Sequence, residues 1–294
     1  YFTLVADYDT TFYPIPFVRS VNNNSALTGS LGVVYRPTES TAISGNLSTG
    51  LRAPNVDDTG KVFDSVDGFV TVPNADLRAE YAYNAELGLV QVFGDRIRLD
   101  ASVYYTRLKD AMVRRPFQLD GQDSILYNGT LSKVEAIQNA AQATVKGVQL
   151  GIECKFGHGF SLTSSYNIQK GVEELDNGSV SPSRHAAPNY GTTSFTWNSK
   201  KISIAVSSVY SDGKSFNDLP EEEKNKPEIY AFDGDGKPYS PSWMIFNIKA
   251  LYRLSHQISI NAGLENIADV RYRPYSSGIA AAGRNIVVSA SLKF

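Results

Sequence analysis

The residues with types suited to chemistry are few, and most stand apart from one another. The chain of 294 residues carries three histidines and one cysteine. His158 in "FGHGF" and His256 in "LSHQ" fall in short turns and read as solvated residues, and no local context supports a Ser-His-Asp set. His185 follows Arg184 in "SPSRHAAPNY", where a long connection meets a strand, so the pair either meets an anionic ligand or shapes the loop. Arg114 and Arg115 of "RRPF" could likewise draw in an anion by charge, the alternative being a plain surface loop. "FDGDGKPYSPSW" begins like a calcium loop at Asp233 and Asp235 but lacks the third acid and the closing Glu, which leaves tight turns. Its Tyr239 and Trp243 join the candidate ligand-loop residues. "LPEEEKNKPE" reads as a solvated loop face or a short helix. Cys154 excludes an internal disulfide and a cysteine metal site, and it sits among apolar residues of one strand parity. The expectation is a protein without catalytic residues, metal site or resident cofactor.

The elements that must position these residues are strands. In "RIRLDASVYYT", Ile97, Leu99, Ala101, Val103 and Tyr105 alternate with Arg98, Asp100, Ser102, Tyr104 and Thr106. "GVQLGIECKF", "FSLTSSYNIQ", "FNIKALYRL", "QISINAGLE" and the closing "NIVVSASLKF" repeat the pattern, and weaker versions lie near 27–36, 41–51, 79–92, 187–198 and 201–210. That predicts about eleven strands, with a partial one at 1–9. The polar parity is Ser, Thr, Asn, Gln and Gly with scattered charges, as a wet lumen requires. A sandwich face turned to bulk water would carry more charge. No apolar run approaches the 18 or more residues that a membrane helix needs. The net charge of −2 gives no reason to expect nucleic acid as a partner.

Connections separate the architectures. Strands pair through short turns at 36–40, 93–96, 156–160, 198–201 and 254–257, while the alternate connections, near 52–78, 109–141, 171–186, 213–241 and 267–282, are long. Short periplasmic turns and long external loops are the habit of outer-membrane barrels, whose polar lumen also keeps the mean hydropathy low, here −0.23. A soluble sandwich or propeller seldom repeats that asymmetry. The fold expected is therefore all-β, a transmembrane antiparallel barrel. A complete barrel has no free edge, so eleven or twelve strands read as the C-terminal part of a larger one.

Three ordered motifs carry a family resemblance. "STGLRAPNVDD…VPNADLRAEYAYNAELGL" (48–89) resembles a signature of TonB-dependent outer-membrane receptors, with Arg52, Ala53 and Pro54 closing a strand, Asn74, Asp76 and Leu77 in the loop, and Glu80 opening the next strand. "ENIADVRYRPY" (265–275), with Asn266 and Tyr272, resembles the element near the last loop of such receptors. "GRNIVVSASLKF", ending on Phe294, resembles their closing strand. Ala75 and Leu51 depart from the usual Pro and aromatic. The resemblance implies a 22-stranded barrel, with residues 1–294 as its C-terminal portion and with the plug and TonB box absent from this chain. It also implies an outer-membrane location in a Gram-negative bacterium and import of a scarce ligand, a ferric siderophore foremost, with a vitamin, haem or an oligosaccharide as alternatives. Haem is disfavoured because residues 55–73 contain no His. The implied partners are outer-membrane lipid, the TonB–ExbB–ExbD complex acting through the missing region, and the barrel assembly machinery reading Phe294. A passive porin-type channel and a soluble β-rich binding module are the rival readings.

Overall fold

The computed structural model describes residues 1–11, 18–66, 68–139, 142–174, 178–183, 186–224 and 226–294. Along the chain, β1 (Phe2–Asp7) and β2 (Arg19–Asn24) pair only with each other. β3 (Ser30–Thr38) and β4 (Thr41–Arg52) start the main sheet. α1 (Val56–Gly60), β5 (Phe63–Val66) and β6 (Phe69–Val72) occupy the next connection. β7 (Glu80–Phe93) and β8 (Ile97–Lys109) rejoin the sheet, and β9 (Met112–Pro116), β10 (Ser124–Tyr127) and β11 (Thr130–Asn139) leave it again. β12 (Ala143–Gly157) and β13 (Phe160–Glu174) are the longest strands, and the short β14 (Val180–Pro182) pairs beside β13. After β15 (Tyr190–Asn198) and β16 (Ile202–Ser211) come α2 (Glu221–Lys224) and the small hairpin of β17 (Ala231–Phe232) and β18 (Pro238–Tyr239). β19 (Trp243–Arg253), β20 (Ile258–Glu265) and β21 (Asn285–Leu292) complete the main sheet.

Eleven of these strands form a meander in which each pairs antiparallel with the next wall strand of the chain, from β3 to β21. The register keeps the two parities separate across the whole wall. One row runs through Phe93, Ile97, Cys154, Leu162, Phe195, Val206, Ile248, Leu264 and Ile286, all direct cross-strand partners. On the other face Ser102, Gln149, Asn167, Tyr190 and Ser211 make a row. A slip of one residue in any strand would break both rows, so the alternation itself fixes the register. The ion pairs Arg98–Asp100 (2.7 Å), Lys155–Glu153 (3.6 Å) and Lys249–Glu265 (3.2 Å) all lie on the polar parity.

Strands turn tightly at one end of the wall and run into long connections at the other. Gly159 shows how tight: its φ is +85°, and a Cβ there would come within 1.9 Å of the Asn198 carbonyl oxygen. Phe156, Phe160, Phe195 and Trp197 cluster at this end, with the Phe160 and Phe195 rings 5.7 Å apart and stacked.

Three expectations are corrected. The segment at 1–9 is a strand, but it lies in a separate two-stranded hairpin rather than in the wall. The last strand ends at Leu292, although the Lys293 N–H still donates to the Gln257 carbonyl, and Phe294 stands two residues beyond the strand, fully exposed. The count of about eleven strands with a partial one omits those in the long connections near 52–78 and 109–141, where β10, β11, β6 and β5 form a second sheet, with β9 beside β11. Val70, Val72, Leu119, Ile125, Tyr127, Val134 and Ala136 make a core within it. A polar-looking loop can form such a sheet because Asn128–Gly129 and Asp120–Gly121 each take two consecutive positive φ values, the geometry of tight hairpin turns.

Candidate functional site

Two loop assemblies stand at the long-connection end. The first is organised by the motif residues of 52–80. Arg52 donates from one terminal nitrogen to both oxygens of Asp58, at 2.8 and 2.9 Å. Asp58 also accepts from the Asn55 N–H, while Asn55 Oδ1 accepts from the Asp58 N–H, so the short α1 is capped reciprocally. Pro54 is fully buried beside this cap, and Ala53 is half-buried. Asn74 Nδ2 donates to the Ile137 carbonyl at 2.8 Å, and its Oδ1 receives the N–H of Asp76, whose own side is exposed. Leu77 is buried, and the Asn22 amide donates to the carbonyls of Ala75 and Leu77. Glu80 accepts the Met112 N–H at 3.0 Å. These side chains tie β2, the 53–79 connection and the 110–142 connection together.

Arg114 and Arg115 belong to this assembly. The Arg114 guanidinium lies over the Phe63 ring, 5.2 Å from its centroid. Arg115 is only 7% exposed. The plain surface-loop reading of "RRPF" is therefore overturned for Arg115, which the second sheet encloses.

The second assembly gathers three connections, near 180–189, 212–242 and 266–284. Asn266 is its organiser. It is 2% exposed and holds φ +46°. Its Nδ2 donates to the carbonyls of Val270 (2.8 Å) and Ala282 (3.1 Å), its Oδ1 accepts the Val270 N–H, and its own N–H donates to Asn247 Oδ1. Asp269 accepts the Arg284 N–H, and a Cβ on Gly283 would sit 2.6 Å from that carboxylate oxygen, so Gly283 gives the close approach. The loop shaped this way lays the Tyr272 ring against Trp243, with centroids 4.2 Å apart. Arg273 donates to the Glu228 carbonyl at 2.9 Å. The Trp243–Tyr272 pair, Arg271, Arg273 and Tyr230 line a cavity of ≈ 360 Å³. Tyr239 is half-buried in β18, next to Ser240, which also lines the cavity.

The charge run at 219–228 corrects a sequence expectation. Its α2 is the short helix foreseen, yet Glu223 is fully buried rather than solvated. Its carboxylate accepts from the Tyr230 hydroxyl (2.5 Å), Ser276 (3.2 Å) and Lys226 (2.8 Å). Burial, then the Glu223 hydrogen bond, raises Tyr230 far above the ordinary tyrosine value, so it stays a donor. Lys214 donates to the Ala186 carbonyl at 2.5 Å and rests over the Tyr275 ring at 4.4 Å. Desolvation lowers its pKa, against the pull of Asp218 and Glu223. Leu219 and Pro220, both fully buried just before the acids, were the available signal that this run turns inward.

Arg184 and His185 lie outside the described residues. His158, with φ +51°, and His256 stand exposed in short turns at the far end, as expected. The Asp233 carboxylate accepts the N–H groups of Asp235 and Lys237, which makes it a turn acceptor. No cluster of three or more metal-ligating residues occurs among the described residues. Trp243 and Tyr272 are brought together from two different predicted sets, whereas Arg114 and Arg115 stand in the other assembly.

A family model described as "TonB dependent receptor-like, beta-barrel" matches residues 2–267. The hemoglobin-haptoglobin utilization protein B of Neisseria meningitidis is 26% identical over 281 residues, covering 90% of this chain and 34% of that protein. The pesticin receptor of Yersinia enterocolitica is 26% identical over 243 residues, covering 77% of this chain and 32% of that protein. The chain thus spans about a third of the length of these curated relatives. Among solved structures, the ferric enterobactin receptor of Pseudomonas aeruginosa superposes with a TM-score of 0.65 at 14% identity, over 94% of this chain and 40% of that one. At that identity the likeness is one of fold, and it agrees with the wall and connections described above.

Proposed function

We propose, from the premise that this chain belongs to the TonB-dependent receptor-like β-barrel family, that it is the C-terminal barrel portion of an outer-membrane active-transport receptor. Barrels of this family are outer-membrane proteins of Gram-negative bacteria. In this reading the apolar parity faces lipid, the polar parity faces the lumen, and the long loops stand outside the cell. A plug and TonB box elsewhere in the protein would couple ligand release to the TonB–ExbB–ExbD complex, and the barrel assembly machinery would read the closing strand with Phe294.

The observation that carries the reading is the uninterrupted separation of apolar and polar rows across eleven strands, with long connections knitted at one end only. A soluble sheet gains nothing from keeping Leu87, Val103, Phe246, Ile248 and Val288 all on an exposed face. The ligand site we assign is the loop-end cavity. Two arginines beside a close Trp–Tyr ring pair suit a negatively charged, ring-bearing metal chelate, and a ferric siderophore has that chemistry. Trp243→Ala is expected to lower uptake of the cognate chelate about tenfold, the loss of one aromatic contact to the ligand, with barrel assembly unchanged. Uptake by a deletion strain, compared across ferric siderophores, haem, cobalamin and oligosaccharides with and without TonB, decides the class. Uptake that persists without TonB would make the protein a passive channel.

A further inference from the structure

The lipid-side parity of the wall carries no charge from the short turns up to the loop end, and then four bases appear together on three adjoining strands. Arg107 and Lys109 continue the parity of Val103 and Tyr105 on β8; Lys146 lies on β12 and Lys170 on β13. All four are exposed. Tyr105 faces Lys146 directly, and Lys146 faces Lys170 directly. Lys109, Lys146 and Lys170 make no ion pair among the described residues, and Arg107 donates to the Gln142 side-chain oxygen. Directly opposed residues of antiparallel strands hold their Cβ atoms about 5 Å apart, and like charges placed that way repel each other. The ion pairs between wall residues, Arg98–Asp100, Lys155–Glu153 and Lys249–Glu265, all lie on the lumen side.

Their height is also specific. On β13 the parity runs Phe160, Leu162, Ser164, Tyr166, Ile168, Lys170, from the ring cluster at the short turns to the base. Ten residues at about 3.4 Å, tilted by about 40°, rise about 26 Å. That matches the apolar band of about 25 Å expected for such barrels, so Lys170 and its neighbours stand at the headgroup level. Two adjoining grooves lie below and beside the bases. One, of ≈ 1160 Å³, is lined by Leu31, Leu47, Tyr83, Tyr105, Arg107 and Lys109. The other, of ≈ 630 Å³, shares Leu31, Leu47 and Tyr105 and reaches Leu87, Val103 and Lys146.

We infer that this margin, from Arg107 and Lys109 through Lys146 to Lys170, docks an acylated lipid whose phosphates carry a net negative charge, from the leaflet in which the long loops stand. The inference rests on the membrane placement proposed above. Phosphates neutralise the facing lysines, and acyl chains fill the grooves over Leu31, Leu47 and Val103. Zwitterionic lipids supply the chains without the net charge, and inorganic phosphate supplies the charge without the chains.

The test is native mass spectrometry of the intact receptor in detergent, titrated with diphosphorylated lipid A, its dephosphorylated form, phosphatidylethanolamine and inorganic phosphate. The expected result is retention of diphosphorylated lipid A over both lipids that lack net charge, with no competition from phosphate. Lys146→Gln with Lys170→Gln should bind it roughly thirtyfold more weakly, and the Lys→Arg pair should bind as the parent does. Equal retention of phosphatidylethanolamine, competition by phosphate, or undiminished binding by a folded Gln pair would each overturn the inference. Should the Gln pair fail to fold, the dephosphorylated lipid tests the same charge on the parent protein. Membrane fractionation is read separately, so loss of outer-membrane location would sink the functional reading and not be confused with loss of lipid selectivity.

Discussion

Residues 53–79 and 110–142 fold their connections around Val70, Val72, Leu119, Ile125 and Val134, whereas residues 212–242 and 266–284 gather around the carboxylate of Glu223. Both assemblies close off the same end of the wall. The first is a small sheet with a core of its own, and it would resist change as any packed interior does. The second has little apolar interior, and directed bonds from Glu223, Asn266 and Lys214 shape it instead. The difference suits separate tasks. A sheet gives a rigid frame, while a polar knot presents Trp243, Tyr272 and two arginines around open space and depends on the charge state of a few groups.

The sharpest way to break the comparison is to remove the knot's centre. Glu223→Ala strands the Tyr230 hydroxyl and the Lys226 ammonium, and is expected to destabilise the 212–284 assembly by about 3–5 kcal/mol. Glu223→Gln should cost less because an acceptor remains for Tyr230. Hydrogen exchange of the loop amides reads both, and protection of the first sheet should be unchanged; loss in both assemblies would mean that they unfold as one unit. Next in size, Ile125→Ala should open the first sheet by about 2–4 kcal/mol through its cavity and leave the Trp243 fluorescence unaltered.

The smallest effect expected is in pH. The folded protein holds the Tyr230 proton above the ordinary value of 10.0, so the stability it lends is complete below that pH and is lost as the pH climbs past it. The rate of loss is at most about 1.4 kcal/mol per pH unit. Lys214 acts with the opposite sign: its lowered pKa means that the unfolded loop binds more protons below 10.5, so its contribution rises with pH up to that point. Tyr230→Phe should therefore abolish the alkaline loss of exchange protection in the knot, and the first sheet should show none in either protein. An alkaline loss that persists in Tyr230→Phe would place the titrating group elsewhere.

Much of the wall was legible from residue types alone. Period-two alternation needs no partner to be read, and matching one strand's apolar parity to the next leaves a single register. The short turns were legible too, since few residues separate one alternating run from the next, with Gly in two of them, at 93–96 and 156–160. The loops were not. "LYNGTLSKVEAI" holds a clear Asn-Gly hairpin signal, yet it sits within a connection legible only by its length. Arg115 and Glu223 carry charge, which argues for exposure until a buried partner is known.

Sequence by itself determined the strand count of the wall, its two faces and the family motifs, because those depend on local alternation and on short linear patterns. Tertiary structure alone decided which loops meet, that Trp243 packs against Tyr272 and that Lys146 opposes Lys170. The physical reason is range. Alternation is written every second residue, while burial of a charge or juxtaposition of two loops depends on residues dozens of positions away that only folding brings within bonding distance.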